Sequence, residues 1–201
     1  MPCYTYEGIT PVVHPGAFVH PSAVLIGDVI IGDRCLVGPC AVLRGDIGRL
    51  ELRDGANLQD TCVVHCFPGK DVIIEENAHI GHGAVVHGCR VGRNALLGMN
   101  AVLMDDVHVG QNSMVGALAF VREGTEIPPN TLWAGAPARQ IREITEKEIG
   151  WKTRGTEIYQ HLASRHLATG SEVPPLSSAD ESRRAQRVPD VGYDTKKATG
   201  K

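Results

Sequence analysis

An aliphatic residue recurs at every sixth position along most of this chain. Val13, Val19, Leu25, Ile31, Val37 and Leu43 form the first run, and Val91, Leu97, Leu103, Val109, Val115, Val121 and Ile127 the last. Four residues after each of these anchors stands a small or β-branched residue: Ala17, Ala23, Val29, Cys35 and Ala41, then Ala95, Ala101, Val107, Ser113, Ala119 and Thr125. An anchor and the small residue two places before it point to the same side of a short strand. Glycine often follows the anchor, and the intervening Gly, Asp and Asn residues favour turns. Short strands and turns at a fixed period predict a parallel β-helix built on a hexapeptide repeat with three strands per coil. A β-sandwich needs no such register.

The period slips at three places: nine residues from Leu43 to Leu52, ten from Val64 to Ile74, and five from Val86 to Val91. Dealing the anchors to three faces in rotation puts Leu25, Leu43, Val64, Val86, Leu103 and Val121 on face A. Face B takes Val13, Ile31, Leu52, Ile74, Val91, Val109 and Ile127, and face C takes Val19, Val37, Leu58, Ile80, Leu97 and Val115. Every slip follows a face-A anchor. Insertions are expected to loop out where a site is built.

Arg44, His65 and His87 each follow a face-A anchor by one residue. They are expected to stack as an outward ladder with about 4.8 Å between neighbours. Two imidazoles at that spacing can share one ion at zinc-to-nitrogen distances of about 2.0–2.1 Å. His82 follows a face-C anchor by two residues, too far round the coil to join them within one chain. A neighbouring subunit in a homotrimer could bring its own His82 to the pair, giving one metal site per interface. Zn2+ suits such a histidine set; Fe2+, Co2+ and nickel suit imidazole as well. Asp60 shares the offset of His82 and should lie beside it. Arg44 would then face the partner's Asp60 in an inter-subunit ion pair, with Asp46 a further partner. His79 points out of the coil one residue before an anchor. It is set aside here with the unpaired His14, His20, His108, His161 and His166.

The segments R44-G-D-I, N57-L-Q-D-T-C-V-V-H65, I80-G-H-G-A-V-V-H87-G-C, G92-R-N-A-L-L-G-M-N-A-V and G135-A-P-A-R together resemble the γ-class carbonic anhydrase-like family over about residues 8–168. The resemblance implies a left-handed β-helix trimer with a C-terminal helix along the coil. It implies metal ligation by His65, His82 and His87, an Arg–Asp pair at Arg44 and Asp60, and a water-orienting glutamine at Gln59. Asn57 and Asp46 match further family positions. Within the family, likeness is strongest to a phenylacetate-degradation branch and next to a carnitine-operon branch. The former implies a thioesterase acting on CoA esters. The insertion after His65 (Cys66 to Asp71) is short and holds no Glu, unlike the proton-moving loop of prototype carbonic anhydrases.

Three function classes follow. The first is a zinc-dependent hydrolase of CoA thioesters and the second a carbonic anhydrase on the same site. The third is a hexapeptide-repeat acyltransferase with one general-base histidine and no metal. No Gly-X-Ser-X-Gly segment points to a serine thioesterase.

Beyond Ile127 the period stops, and Pro128-Pro129 is expected to end the coil. Thr145 to Glu148 reads as a capping box opening a helix to about Leu167. Ile149, Trp151, Ile158, Tyr159 and Leu162 give that helix an apolar side. Tyr159 is placed either to reach the metal site or to pack. The expected organisation is a β-helix over 1–130, a turn plus helix over 131–169, and a polar tail over 170–201. The chain has 201 residues and a net charge of −3 with no basic cluster, which speaks against nucleic acid as a partner. No long apolar run or signal segment points to a membrane. Of six cysteines, Cys35, Cys62 and Cys89 fall on small inward positions, and Cys3, Cys40 and Cys66 lack zinc-type spacing. A reduced, cytoplasmic enzyme acting on a small molecule such as an acyl-CoA is the expectation.

Overall fold

The computed structural model describes residues 2–179. The chain is a parallel β-solenoid closed by one helix, Glu146–Thr169. Every face assignment made from the repeat is met by the strand register. On face A, Leu25 pairs with Leu43, Leu43 with Val64, Val64 with Val86, Val86 with Leu103, and Leu103 with Val121. Faces B and C follow in the same way, from Val13↔Ile31 to Val109↔Ile127 and from Val19↔Val37 to Leu97↔Val115. From Leu25 onward the anchors are buried, and they form one continuous core with the small inward residues, including Cys35, Cys62 and Cys89.

Each coil hangs on the next by backbone hydrogen bonds, and within a coil only turn amides close on themselves, as Ala23 N–H does on His20 O. The corners take left-handed backbone at Arg34, Asn77, Asn94, Asn112 and Asn130. Asn tolerates that region better than most residues. Asn94, Asn112 and Asn130 also stack, Asn94 donating its side-chain amide to Asn112 Oδ1 and Asn112 to Asn130 Oδ1, both at 2.9 Å. At the corner Gly88, with a φ of 52°, a Cβ would run into the Asp105 carboxylate.

Two expectations for the coil change. The insertion after Leu43 does not loop out: Val42–Leu52 is one unbroken strand, because the adjacent Val24–Ile31 bends with it through a register shift at Gly27/Val29. Faces A and B therefore join into one sheet there. Pro128-Pro129 does not end the coil. Thr131–Gly135 adds a further parallel strand to face C beside Met114–Val115, and Ala138–Glu143 folds back on it antiparallel. The prolines occupy a turn, where no ladder donor is lost.

The helix carries the expected capping box, with Thr145 and Glu148 hydrogen-bonded reciprocally. It packs against face C on strands Phe18–Val19, Leu36–Val37 and Asn57–Leu58. Its buried residues, however, are Lys152, Thr156 and Ala163 rather than the apolar side. Polar struts hold it: Lys152 Nζ donates to Asn77 O at 2.5 Å and Asn94 Oδ1 at 2.8 Å, and Gln160 Nε2 to Gly55 O and Asn77 Oδ1. Among the described residues no helix is long and apolar enough to cross a membrane. Residues 171–179 carry no regular structure, and the rest of the expected polar tail lies outside the described residues.

Glu148 also accepts two hydrogen bonds from Arg142. These, with the Thr145 contacts, hold its carboxyl well below the usual glutamate value of 4.5. The linkage is that of a depressed acid: the stabilisation is complete above about pH 4.5 and is lost as pH falls below it. Thr145→Ala should cost about 1 kcal/mol in denaturant unfolding. Glu148→Gln should flatten the acid limb of stability between pH 4.5 and 2; an unchanged limb would remove the box from the stability account.

Candidate metal centre built from two half-sites

The predicted site residues separate into two groups on different faces. The first gathers on the edge of face A. His65 and His87 are paired in register on adjacent strands, Val63–His65 and Val85–His87. His65 Nδ1 and His87 Nε2 approach to 3.3 Å. The outer nitrogen of each ring meets a carboxylate, His65 Nε2 at 3.2 Å from Asp46 Oδ1 and His87 Nδ1 at 2.9 Å from Asp105 Oδ2. Arg44 Nη1 grips the other Asp46 oxygen at 2.7 Å. Phe67, at the start of the insertion, stands edge-on to His87 with centroids 4.8 Å apart.

This geometry dictates proton positions. A carboxylate accepts, so both outer nitrogens carry the N–H. A neutral imidazole has only one, so with both rings neutral Nδ1 of His65 and Nε2 of His87 face each other as bare lone pairs. Burial, then the Arg44 charge, lower the His65 pKa and favour its neutral form. Burial alone would raise the Asp46 carboxyl, but hydrogen bonds from Arg44 and His65 outweigh it and hold it low. Asp105 is almost fully buried, and its Oδ1 has no hydrogen-bond partner. Two facing lone pairs and a buried, half-satisfied carboxylate form a cation-seeking arrangement. Tetrahedral zinc with bonds of about 2.0–2.1 Å sets its ligand nitrogens about 3.3 Å apart. The residues present therefore fit a divalent ion. Carboxylates on the outer nitrogens are the usual supports of metal-binding imidazoles. Asp105 was not singled out from the sequence. Its signal was its place two residues after the anchor Leu103, one coil on from His87.

The second group lies where face C turns. His82 Nδ1 meets Asp60 Oδ2 at 3.1 Å, and both side chains are close to half exposed. Asp60 thus lies beside His82 as its offset implied. Gln59, almost fully buried, donates through Nε2 to His79 Nε2 at 2.7 Å and to Asn57 Oδ1 at 3.3 Å. Tyr159, from the helix, sets its ring at 90° to His79 with centroids 5.0 Å apart, and it also hydrogen-bonds Gln59. Burial raises the Tyr159 pKa, helped by the Asp60 charge. The sequence reading set His79 aside as an outward surface residue. It does leave the coil, but the helix covers it, and burial pushes it down to about 3, so the ring is neutral. The overlying helix was the missing information.

Among the described residues, no group of three or more His, Cys, Asp or Glu side chains is arranged to hold an ion within one chain. Gln59, Tyr159 and His82 do not join the His65–His87 pair.

Fold and repeat together define a hexapeptide-repeat protein. Residues 10–45 and 88–123 match the profile described as bacterial transferase hexapeptide (six repeats), and 71–104 match the hexapeptide repeat of succinyl-transferase. The carnitine operon protein CaiE of Salmonella agona (strain SL483) is 52% identical over 183 residues, covering 91% of this chain and 92% of that protein. CaiE of Escherichia coli O7:K1 is 50% identical over 192 residues, covering 95% and 98%. This chain therefore belongs to the CaiE family of hexapeptide-repeat proteins. Among solved structures, a Bacillus cereus protein provisionally assigned as an acetyltransferase superposes with a TM-score of 0.81 at 31% identity, covering 83% of this chain and 96% of that one. A hexapeptide transferase family protein from Anaplasma phagocytophilum gives 0.78 at 36%, covering 81% and 96%. Of the two branches weighed from the sequence, these relatives carry the name of the carnitine-operon one.

In the metal-free protein at neutral pH, His87 should be the Nδ1–H tautomer, read by long-range 1H–15N correlation. Asp105→Asn should shift that population. A wild-type ring protonated on Nε2 would refute the facing lone pairs.

Proposed function

We propose that the chain is a metal-dependent hydrolase of acyl thioesters whose sites form between subunits. Each site would join the His65–His87 pair of one chain to His82 of the next around a closed trimer. The observation that carries this is His65 Nδ1 and His87 Nε2 meeting at 3.3 Å with carboxylates behind both rings. Zinc is the first choice for such ligands, with iron or cobalt also suited.

A second observation supports the assembly. The outward residues of face A form an apolar ladder, Val24, Val42, Val63, Val85, Val102 and Phe120, stacked in register. The other faces differ. The helix covers part of face C, and the outward row of face B mixes Val12, Ile30 and Ile73 with Glu51, Arg90, His108 and Glu126. A bare valine ladder beside half a metal site suits a second copy of the same chain. Across that interface Arg44 and the partner's Asp60 would complete an ion pair.

A divalent ion bound there would polarise a carbonyl and lower the pKa of water to about 7. The chain's own residues do the rest. Asp46 and Asp105 fix the two imidazoles, and Asp60 fixes His82. Asn57, His79 and Tyr159 lock the Gln59 amide in one orientation, from which it can direct the attacking water. Phe67 shields the His87 side from solvent. Water adds to the thioester carbonyl, the carbon–sulfur bond breaks, and the thiol leaves with a proton. The thioester choice rests on the family resemblance. The relatives' names point towards carnitine rather than phenylacetate. Carbonic anhydrase activity on the same site is the competing metal reading. Metal-free acyl transfer is a second reading, favoured by the assignments of the two superposable structures.

Metal analysis and an acyl-CoA hydrolysis panel separate these. His65→Ala, His87→Ala and His82→Ala should each lose the metal and hydrolysis. Co-refolding His82→Ala with His65→Ala should restore about one site in four, since randomly mixed interfaces bring an intact pair to an intact His82. No recovery would rule out sharing, and a metal-free wild type with transferase activity would favour the second reading. Val102→Asp should yield folded monomers without metal. Metal retained in such monomers would contradict the inter-subunit site.

A further inference from the structure

The helix meets the coil along two rows, and only one closes. Lys152, Thr156, Gln160 and Ala163 reach the sheet, three of them buried and Lys152 and Gln160 acting as polar struts. The neighbouring row does not close. Trp151, Ile158 and Leu162 overhang Leu96 and leave a cavity of about 350 Å³. Gly155 contributes to the gap by presenting no side chain to it. A glycine inside a helix costs about 1 kcal/mol relative to alanine, so this opening is held at a cost in stability. At one end stand His79 and Tyr159, the residues that fix Gln59. The cavity therefore borders the two side chains that hold the Gln59 amide.

We propose that this cavity is the acyl-group pocket, taking an apolar chain or aryl ring while the thioester carbonyl lies towards Gln59. The inference rests on the hydrolase reading above and adds to it the place and chemistry of substrate selection. The walls are apolar, and the volume lies in the usual range for small-molecule sites, roughly 300–1,000 Å³. A phosphate has no counter-charge there. Lys152 is the one cation in the lining, and it is spent on Asn77 O and Asn94 Oδ1. The nucleotide end of a CoA ester must therefore lie elsewhere. The neutral His79 ring and the Tyr159 edge add a surface suited to an aryl or branched group.

The test uses the full chain in its assembled, metal-loaded form, with two variants that change the cavity in opposite senses. Gly155→Leu fills it and Leu162→Ala enlarges it. S-hexyl-CoA, a thioether that cannot be hydrolysed, serves as binding probe by calorimetry, with free CoA as reference. Gly155→Leu should weaken S-hexyl-CoA relative to CoA by at least about tenfold and lower the kcat/KM ratio of hexanoyl- to acetyl-CoA by a similar factor. Leu162→Ala should shift preference towards octanoyl-CoA. Metal content and oligomeric state should match wild type in both. Unchanged ratios in both variants, or loss of the oligomer in both, would overturn the pocket, the latter by showing that a second copy fills the groove. Chain-length-dependent binding without turnover would keep the pocket and sink the hydrolase reading; turnover without chain-length dependence would do the reverse.

Discussion

Stacking of one coil on the next is the constraint on which the rest depends. A two-residue strand cannot satisfy its own backbone, so its amides and carbonyls must meet those of the coils above and below. That requirement locks the register. A slip of one residue would send the inward Val and Leu side chains to solvent. Because the ladder is in register, a side chain's place around the coil is set by its offset from the nearest anchor. His65 and His87 meet for this reason alone. The same reason brings the outward valines of face A into one line.

The chemistry grows from what the ladder cannot relieve. Stacking forces two imidazoles together, and carboxylates on their outer nitrogens fix both protons away from the contact. Asp105 deepens the imbalance, with one oxygen buried and unpartnered. On the proposed reading, a bound cation would relieve that arrangement. His82, held by Asp60 on a different edge, is close to half exposed. In the proposed assembly His82 would supply the ligand that the His65–His87 pair lacks, across the apolar ladder of face A.

The helix has two tasks that its composition obscures. Its polar struts tie it to the coil corners, through Asn77, Asn94 and Gly55. Its apolar row then roofs a cavity instead of filling the core. Burial pushes the Lys152 pKa down to about 7 at this boundary, where its Nζ donates to Asn77 O and Asn94 Oδ1. Tyr159 links the two tasks, since it touches both His79 and Gln59.

By itself the sequence determined the solenoid, the membership of each face, the His65–His87 pairing and the helix start at Thr145. All of these follow from short-range periodicity or local capping, which a linear pattern records. The tertiary structure alone decided the status of His79, which is outward by register yet partly covered by a helix distant in sequence. It alone decided that Asp105 supports His87, since that contact spans a coil and depends on the left-handed corner at Gly88. It alone showed that Val42–Leu52 absorbs its insertion without a loop, that the chain adds a hairpin after Pro128-Pro129, and that the helix buries Lys152 and Thr156 while its apolar row stays half open. Periodicity reports which way a side chain leaves the coil, and only packing between distant segments settles what it meets there.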